Sequence, residues 1–193
     1  MENLESQVIK KCQAGELKQF GQLYDSYIKK IYNFVYYKTW HRQTAEDLTS
    51  QTFFKALTKI KQFDEIKGSF SSWLYKIARN TVIDYYRQNK ADLNIDDIWG
   101  LADSQDFASE IDNQQKLGEV QKYLQNLKPD QKEIVIMKLW DGLTYQEIAE
   151  ITGKTVAACK MTFSRTMARL RENLALILFY FILITKQILW LIK

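Results

Sequence analysis

A chain of 193 residues, 46% apolar and 26% charged, has the balance of a globular protein and room for one ordinary domain or two small ones. Seven glycines and one proline supply little turn chemistry, which argues against a many-stranded sheet and for a nearly all-helical chain. The net charge of +4 is too small to imply nucleic acid by itself, but it is unevenly spread. Residues 1–90 hold 15 Lys and Arg against 9 Asp and Glu, residues 91–115 hold 7 acidic residues and no basic one, and residues 116–173 hold 10 basic against 7 acidic. Two basic blocks thus flank an acidic segment, and basic surface concentrates a polyanion such as DNA.

In chain order, Leu4, Val8 and Ile9 mark a short helix over 4–14, interrupted at Ala14-Gly15. A long buried stripe follows from Leu17 to Thr39, carried by Phe20, Leu23, Tyr24, Tyr27, Ile28, Ile31, Phe34 and Val35. A third helix opens at Thr44, with Asp47 three residues on as a capping box, and Leu48, Phe53, Phe54, Leu57 and Ile60 as its inner face. Residues 61–70 read as a loop and Ser71–Gln88 as a fourth helix with an inner face of Leu74, Ile77, Ala78, Val82 and Tyr85. Residues 91–115 lose periodicity and read as a linker. Helices resume near Lys116; Pro129 suits a first turn, Thr144 with Glu147 forms a capping box, Gly153 closes that helix, and a last helix runs from Thr155 through Arg171. The fold class is therefore all-α, with two small helical domains, 1–90 and 116–173, joined by the acidic linker 91–115.

Cys12 and Cys159 are far apart in no metal-like spacing, which fits a reducing compartment, and residues 1–20 lack the apolar run of a secretory signal. The single histidine, His41, has no Cys or second His nearby and reads as a surface or packing residue rather than a metal ligand. No Gly-rich phosphate loop and no nucleophile-base spacing is present, so we expect no catalytic residue, no metal and no cofactor: a binding protein and not an enzyme.

The densest constellation is Thr144-Tyr-Gln-Glu-Ile-Ala-Glu-Ile-Thr-Gly-Lys-Thr-Val-Ala-Ala-Cys-Lys160. Small Ala149 permits a close crossing, Gly153 permits a positive φ, and Ile148, Ile151, Val156 and Cys159 are apolar where a helix pair buries. This is a helix-turn-helix, whose second helix enters a major groove. Thr155, Lys160, Ser164 and Arg165 lie outward on that helix and can meet phosphates or base edges.

The chain resembles the extracytoplasmic-function (ECF) group of bacterial RNA polymerase sigma factors. The resemblance rests on Ala45-Glu-Asp-Leu48, Phe53, Phe70-Ser-Ser-Trp-Leu-Tyr-Lys-Ile-Ala-Arg-Asn80, Ile83-Asp84, Arg87, Leu127-Lys-Pro-Asp-Gln-Lys-Glu-Ile134 and Gly142-Leu-Thr-Tyr-Gln-Glu-Ile-Ala-Glu150. It implies that the first domain is sigma region 2 and the second is sigma region 4. Asp47, Ser50 and Gln51 match the positions that dock on core RNA polymerase. Trp73, Lys76, Arg79, Asn80, Asp84 and Arg87 lie on the helix that, with the loop before it, reads and melts the minus-ten element. Phe63, Phe70, Trp73 and Tyr75 would supply aromatic surface for unstacked bases, with Phe70 already expected in the core. Thr155, Lys160, Ser164 and Arg165 would read the minus-thirty-five element. The family commonly has Arg where this chain has Thr162 and Met167. The implied partners are core RNA polymerase, promoter DNA and an anti-sigma factor. The alternative is a stand-alone helix-turn-helix regulator.

The resemblance does not cover Leu174–Ile192, a strongly apolar stretch with an uninterrupted run of 11 apolar residues before Thr185, Lys186 and Gln187. As helix it would span about 28 Å, close to a bilayer core. With Arg165, Arg169 and Arg171 before it, membrane association is the favoured reading over burial against protein, placing the chain in the cytoplasm, tethered to the inner face of the membrane.

Overall fold

The computed structural model describes residues 4–89, 127–139 and 141–171. The expected linker 91–115 and the apolar stretch 174–192 lie outside the described residues. Within them every regular element is helical, in agreement with the all-α expectation. The helices are α1 (Leu4–Gln13), α2 (Phe20–Thr39), α3 (Arg42–Lys59), α4 (Phe70–Asn89), α5 (Pro129–Leu139), α6 (Tyr145–Thr152) and α7 (156–171). Short 3-10 turns at Leu17–Gln19, Ile60–Gln62 and Glu65–Lys67 fill the connections.

The long stripe of α2 turns most of its apolar residues inward, although Tyr24, expected within it, is exposed. Ile31, Phe34 and Val35 are fully buried, and the Phe34 ring meets Tyr75 of α4 edge-on at 5.0 Å. The α1 helix is fastened at both ends: the Tyr27 hydroxyl donates to Glu5 at 2.6 Å, and the Gln13 amide donates to the carbonyls of Ile60 and Phe63. Cys12 is buried and free, as is Cys159.

The α3 start departs from expectation. The helix begins at Arg42, and His41 is its cap: the imidazole Nδ1 accepts from the Thr44 amide at 3.1 Å, with the Thr44 hydroxyl 2.9 Å away. Thr44 sits inside the first turn, so the capping box with Asp47 does not form. Phe54 is a second departure. The three buried positions Leu48, Thr52 and Phe53 fix the inner face, which turns Phe54 outward to 68% exposure. The aromatics before and within α4 also go inward. Phe63, Phe70 and Tyr75 are buried, and Phe63, Phe70 and Trp73 lie with their rings 5.3–5.6 Å apart. Apolar surface of this size gains more from the core than from solvent, so only Trp73 of the four keeps partial exposure.

The two halves share a hydrophobic core. Buried Leu74, Ala78 and Val82 of α4 belong to the same cluster as Ile134, Ile136, Ile148 and Ile151 of the second half. Beside it, Trp40 adopts the left-handed conformation at the end of α2, φ +52°, with its amide donating to the Tyr36 carbonyl at 2.7 Å. That backbone costs a non-glycine residue about 1–2 kcal/mol, and the ring offsets it by packing with Val135 and half-buried Leu127 and Phe163.

Replacing His41 with Ala removes the α3 cap and is expected to lower stability by about 1 kcal/mol, whereas His41→Asp, with a side-chain acceptor of its own, retains it. Urea unfolding of the three proteins followed by circular dichroism measures the difference; equal loss in both variants would show that the imidazole acts by packing.

Candidate nucleic-acid interface

The helix-turn-helix is built from local rules. At the α6 start the Thr144 hydroxyl oxygen accepts from the Glu147 amide at 3.2 Å, while Glu147 Oε2 accepts from the Thr144 amide at 2.9 Å. Gly153 ends α6 at φ +72°, its amide donating to the Ala149 carbonyl. Two residues later Thr155 caps α7 by accepting from the Ala158 amide at 3.1 Å. Ile148, Ala149, Ile151 and Cys159 are buried, and Val156 is partly buried against them. Thr155, Lys160, Ser164 and Arg165 are all exposed, as are Arg169 and Arg171 further along. The expected minus-thirty-five group therefore occurs together on one accessible helix. Thr155 is already used as a cap, which leaves its hydroxyl proton free to donate.

The expected minus-ten group is divided. Trp73, Lys76, Asn80, Asp84 and Arg87 recur at the spacing of one helical face; the last three are exposed and the first two half-buried. The Lys55 ammonium lies 3.8 Å from Asp84 and donates to Thr81 at 3.1 Å. Arg79 is turned about 100° from Asn80 and is engaged elsewhere: its Nε donates to both carboxylate oxygens of Glu133 in α5, at 3.0 and 3.2 Å. The positions expected to dock on polymerase, Asp47, Ser50 and Gln51, are exposed on α3, and Phe54 continues their face one turn on. Sequence reading placed Phe54 inside; its alignment with 47 and 50–51 was the available signal.

The second half meets the first through charge as well as apolar contact. Glu133 also accepts from the Lys38 ammonium at 2.8 Å, with both side chains almost wholly buried. Burial lowers the Lys38 pKa to about 8, with Glu133 opposing the shift. The Ser69 hydroxyl donates to Glu147 at 3.3 Å. Gly68, at φ +150°, lies so close to Glu150 that a Cβ there would stand 2.9 Å from Oε2. Asp141 is buried beside the Tyr75 hydroxyl. No cluster of metal-ligating side chains occurs among the described residues.

The sigma-70 region 2 family model matches residues 23–91, and the sigma-70 region 4 model matches residues 117–170. The chain belongs to the sigma-70 family. Within it the chain matches relatives of the ECF group. The ECF RNA polymerase sigma factor BldN of Streptomyces coelicolor is 33% identical over 175 residues, 85% of this chain and 64% of BldN. The RNA polymerase sigma factor YlaC of Bacillus subtilis is 31% identical over 156 residues, 79% of this chain and 90% of YlaC. Among solved structures, the sigma factor RpoE of Bartonella quintana, in complex with the anti-sigma factor NepR, superposes with a TM-score of 0.62 at 26% identity, covering 82% of this chain and 98% of that one. The region 2 match leaves the stand-alone regulator unfavoured, since a helix-turn-helix alone does not account for residues 23–91.

Burial pushes the Asp141 carboxyl from 3.8 up to about 7, with the Tyr75 hydroxyl and the charges of Lys30 and Lys38 pulling it back. The folded chain thus holds this proton more tightly than the unfolded one. The contribution to stability is full below the unfolded value and is lost as pH rises through about 7. Asp141→Asn is expected to raise the thermal midpoint relative to the parent at pH 8, by an amount that shrinks towards pH 4. Calorimetry across that range checks it, and a pH-independent difference would refute the buried carboxyl.

Proposed function

We propose that this ECF sigma factor binds core RNA polymerase and directs it to particular promoters, the first domain reading and melting the minus-ten element and the second reading the minus-thirty-five element. The observation that carries the reading is the pair of family matches in sequence order, each containing a helix with an accessible polar face. Asn80, Asp84 and Arg87, with Trp73 and Lys76, would meet the non-template strand, Trp73 supplying the stacking surface and the cations the backbone contacts. Arg79 joins them when released from Glu133. Thr155, Lys160, Ser164 and Arg165 would enter the major groove upstream. Asp47, Ser50 and Gln51 would dock on polymerase, and exposed Phe54 adds the aromatic anchor that such interfaces use.

The same reading gives domains at 1–90 and 116–173, a linker at 91–115 and an anti-sigma factor as regulator, supported by the solved RpoE–NepR complex. It also places the chain in the cytoplasm with Leu174–Ile192 as a tether to the membrane. No described helix is long and apolar enough to cross a membrane, and that stretch lies outside the described residues.

Reconstituted transcription with bacterial core polymerase over a fragmented genomic template tests the function. New starts that require the protein and vanish with Asn80→Ala, Arg87→Ala or the pair Lys160→Glu and Arg165→Glu are expected. A shift of duplex DNA with no polymerase-dependent start would overturn the reading in favour of a stand-alone regulator. For the tether, the full chain is expected to float with anionic lipid vesicles and a chain ending at residue 173 to remain in the soluble fraction. Equal distribution of the two would remove the membrane role.

A further inference from the structure

We infer that Gln13, on a helix ahead of the matched residues 23–91, is a positioning residue for the loop that leads into α4: its side-chain amide fixes the backbone at the stem of that loop and so sets base discrimination at the minus-ten element. The inference rests on the minus-ten role proposed for α4 and the loop before it. Gln13 Nε2 donates to the Ile60 carbonyl at 3.1 Å and to the Phe63 carbonyl at 2.8 Å. Both acceptors stand where α3 has run out and the chain turns through Ile60–Gln62, a turn closed by the Phe63 amide on the same Ile60 carbonyl at 3.1 Å. A helix end leaves carbonyls in want of donors, and a primary amide has two N–H groups to give. The match is also directional. Turning the amide over would set its oxygen against two carbonyl oxygens, so one orientation alone bonds the pair.

The brace joins a fixed point to an exposed one. Helix α1 is anchored by buried Val8, Ile9 and Cys12 and by the Tyr27 hydroxyl on Glu5 at 2.6 Å. The loop keeps Ile60 and Phe63 in the core and then turns outward. Asp64 Oδ1 accepts from the Ile66 amide at 3.0 Å, which shapes the tip locally, and Ile66 stands 95% exposed between exposed Glu65 and Lys67. A tip formed by its own hydrogen bond and carried outward from Phe63 inherits its placement from the stem. The later residues Gly68 and Ser69 meet α6 of the second half; Gln13 is what ties the stem to another helix of the first half. Discrimination is a ratio of rates for the right and the wrong base. A loop shifted at its stem loses contacts to the right base, while the wrong base has few to lose.

Transcription by core polymerase with the full chain, from a mapped promoter and from its single-base variants in each element, tests the proposal. Gln13→Met keeps the length of the side chain and removes both donors; Gln13→Lys keeps a donor. With Gln13→Met the preference for the native minus-ten bases is expected to fall about tenfold, within the range that two hydrogen bonds supply. The minus-thirty-five preference is expected to stay unchanged, and Gln13→Lys to retain most of both. Amide exchange over residues 64–69 is expected to quicken in Gln13→Met while the α3 and α4 amides keep their protection. If Gln13→Met loses its helical circular dichroism, Gln13→Ala, which leaves no long side chain to misplace, decides. Output reduced in proportion from every promoter, with both preferences intact, would mean that Gln13 serves stability alone and overturns the proposal. Equal loss of preference at both elements, or unchanged exchange in the loop, overturns it too. Quickened exchange with no polymerase-dependent start even from the parent would leave the brace standing and remove the promoter role on which the inference rests.

Discussion

The charge that Glu133 carries into the contact between the two halves sets the conditions for everything around it. A carboxylate with about 2% of its side chain exposed is tolerable only if paired and hydrogen-bonded, and here it accepts from Lys38 and from Arg79 Nε. Take Glu133 away and two cations from α2 and α4 face one another in a dry interface; breaking a buried pair in this way costs about 3–5 kcal/mol. The lowered pKa of Lys38 reports the same constraint, since desolvation works against its charge and Glu133 is what keeps that charge in place. The Lys38 ammonium also lies 4.6 Å from the Phe34 ring, and the Tyr86 hydroxyl donates to the Lys38 carbonyl, so the lysine is tied to the core of its own half before it reaches the other.

Two kinds of cohesion follow. Within the first half, α2, α3 and α4 are joined by rings and aliphatic chains, as in the Phe34–Tyr75 and Tyr24–Phe53 pairs. Separation there would expose apolar area at about 25 cal/mol per Å² with nothing in return. Between the halves, apolar contact is mixed with ions and with buried polar groups, notably Tyr75 and Asp141. Such groups gain hydration on opening, which offsets part of the lost contact.

What was legible in the sequence was local. The α2 stripe apart from exposed Tyr24, the Thr144–Glu147 box, the Gly153 stop and the Pro129 start each depend on residues within a turn or two, and each forms as expected. The misreadings have specific causes. His41 caps α3 because an imidazole nitrogen can accept as a carboxylate does, although histidine is not among the common cap residues. Phe54 was assigned by hydrophobicity, when Leu48, Thr52 and Phe53 already fixed the inner face. Phe63 and Tyr75, expected as stacking surface, instead complete a core that needs them, as Phe70 was expected to do. The exposure of Lys160, Ser164, Arg165, Asn80 and Arg87 follows from periodicity alone. That of Arg79 does not, because its partner is 54 residues away. Lys38 and Glu133 are 95 residues apart, and no local pattern marks them.

The reading faces are unequally placed in the packed state. The α7 residues are exposed with the two halves together, so duplex recognition needs no rearrangement. On the proposed function the two faces therefore differ in what they present: α7 offers its polar side chains to solvent, whereas α4 offers Asn80, Asp84 and Arg87 while Arg79 is held by Glu133.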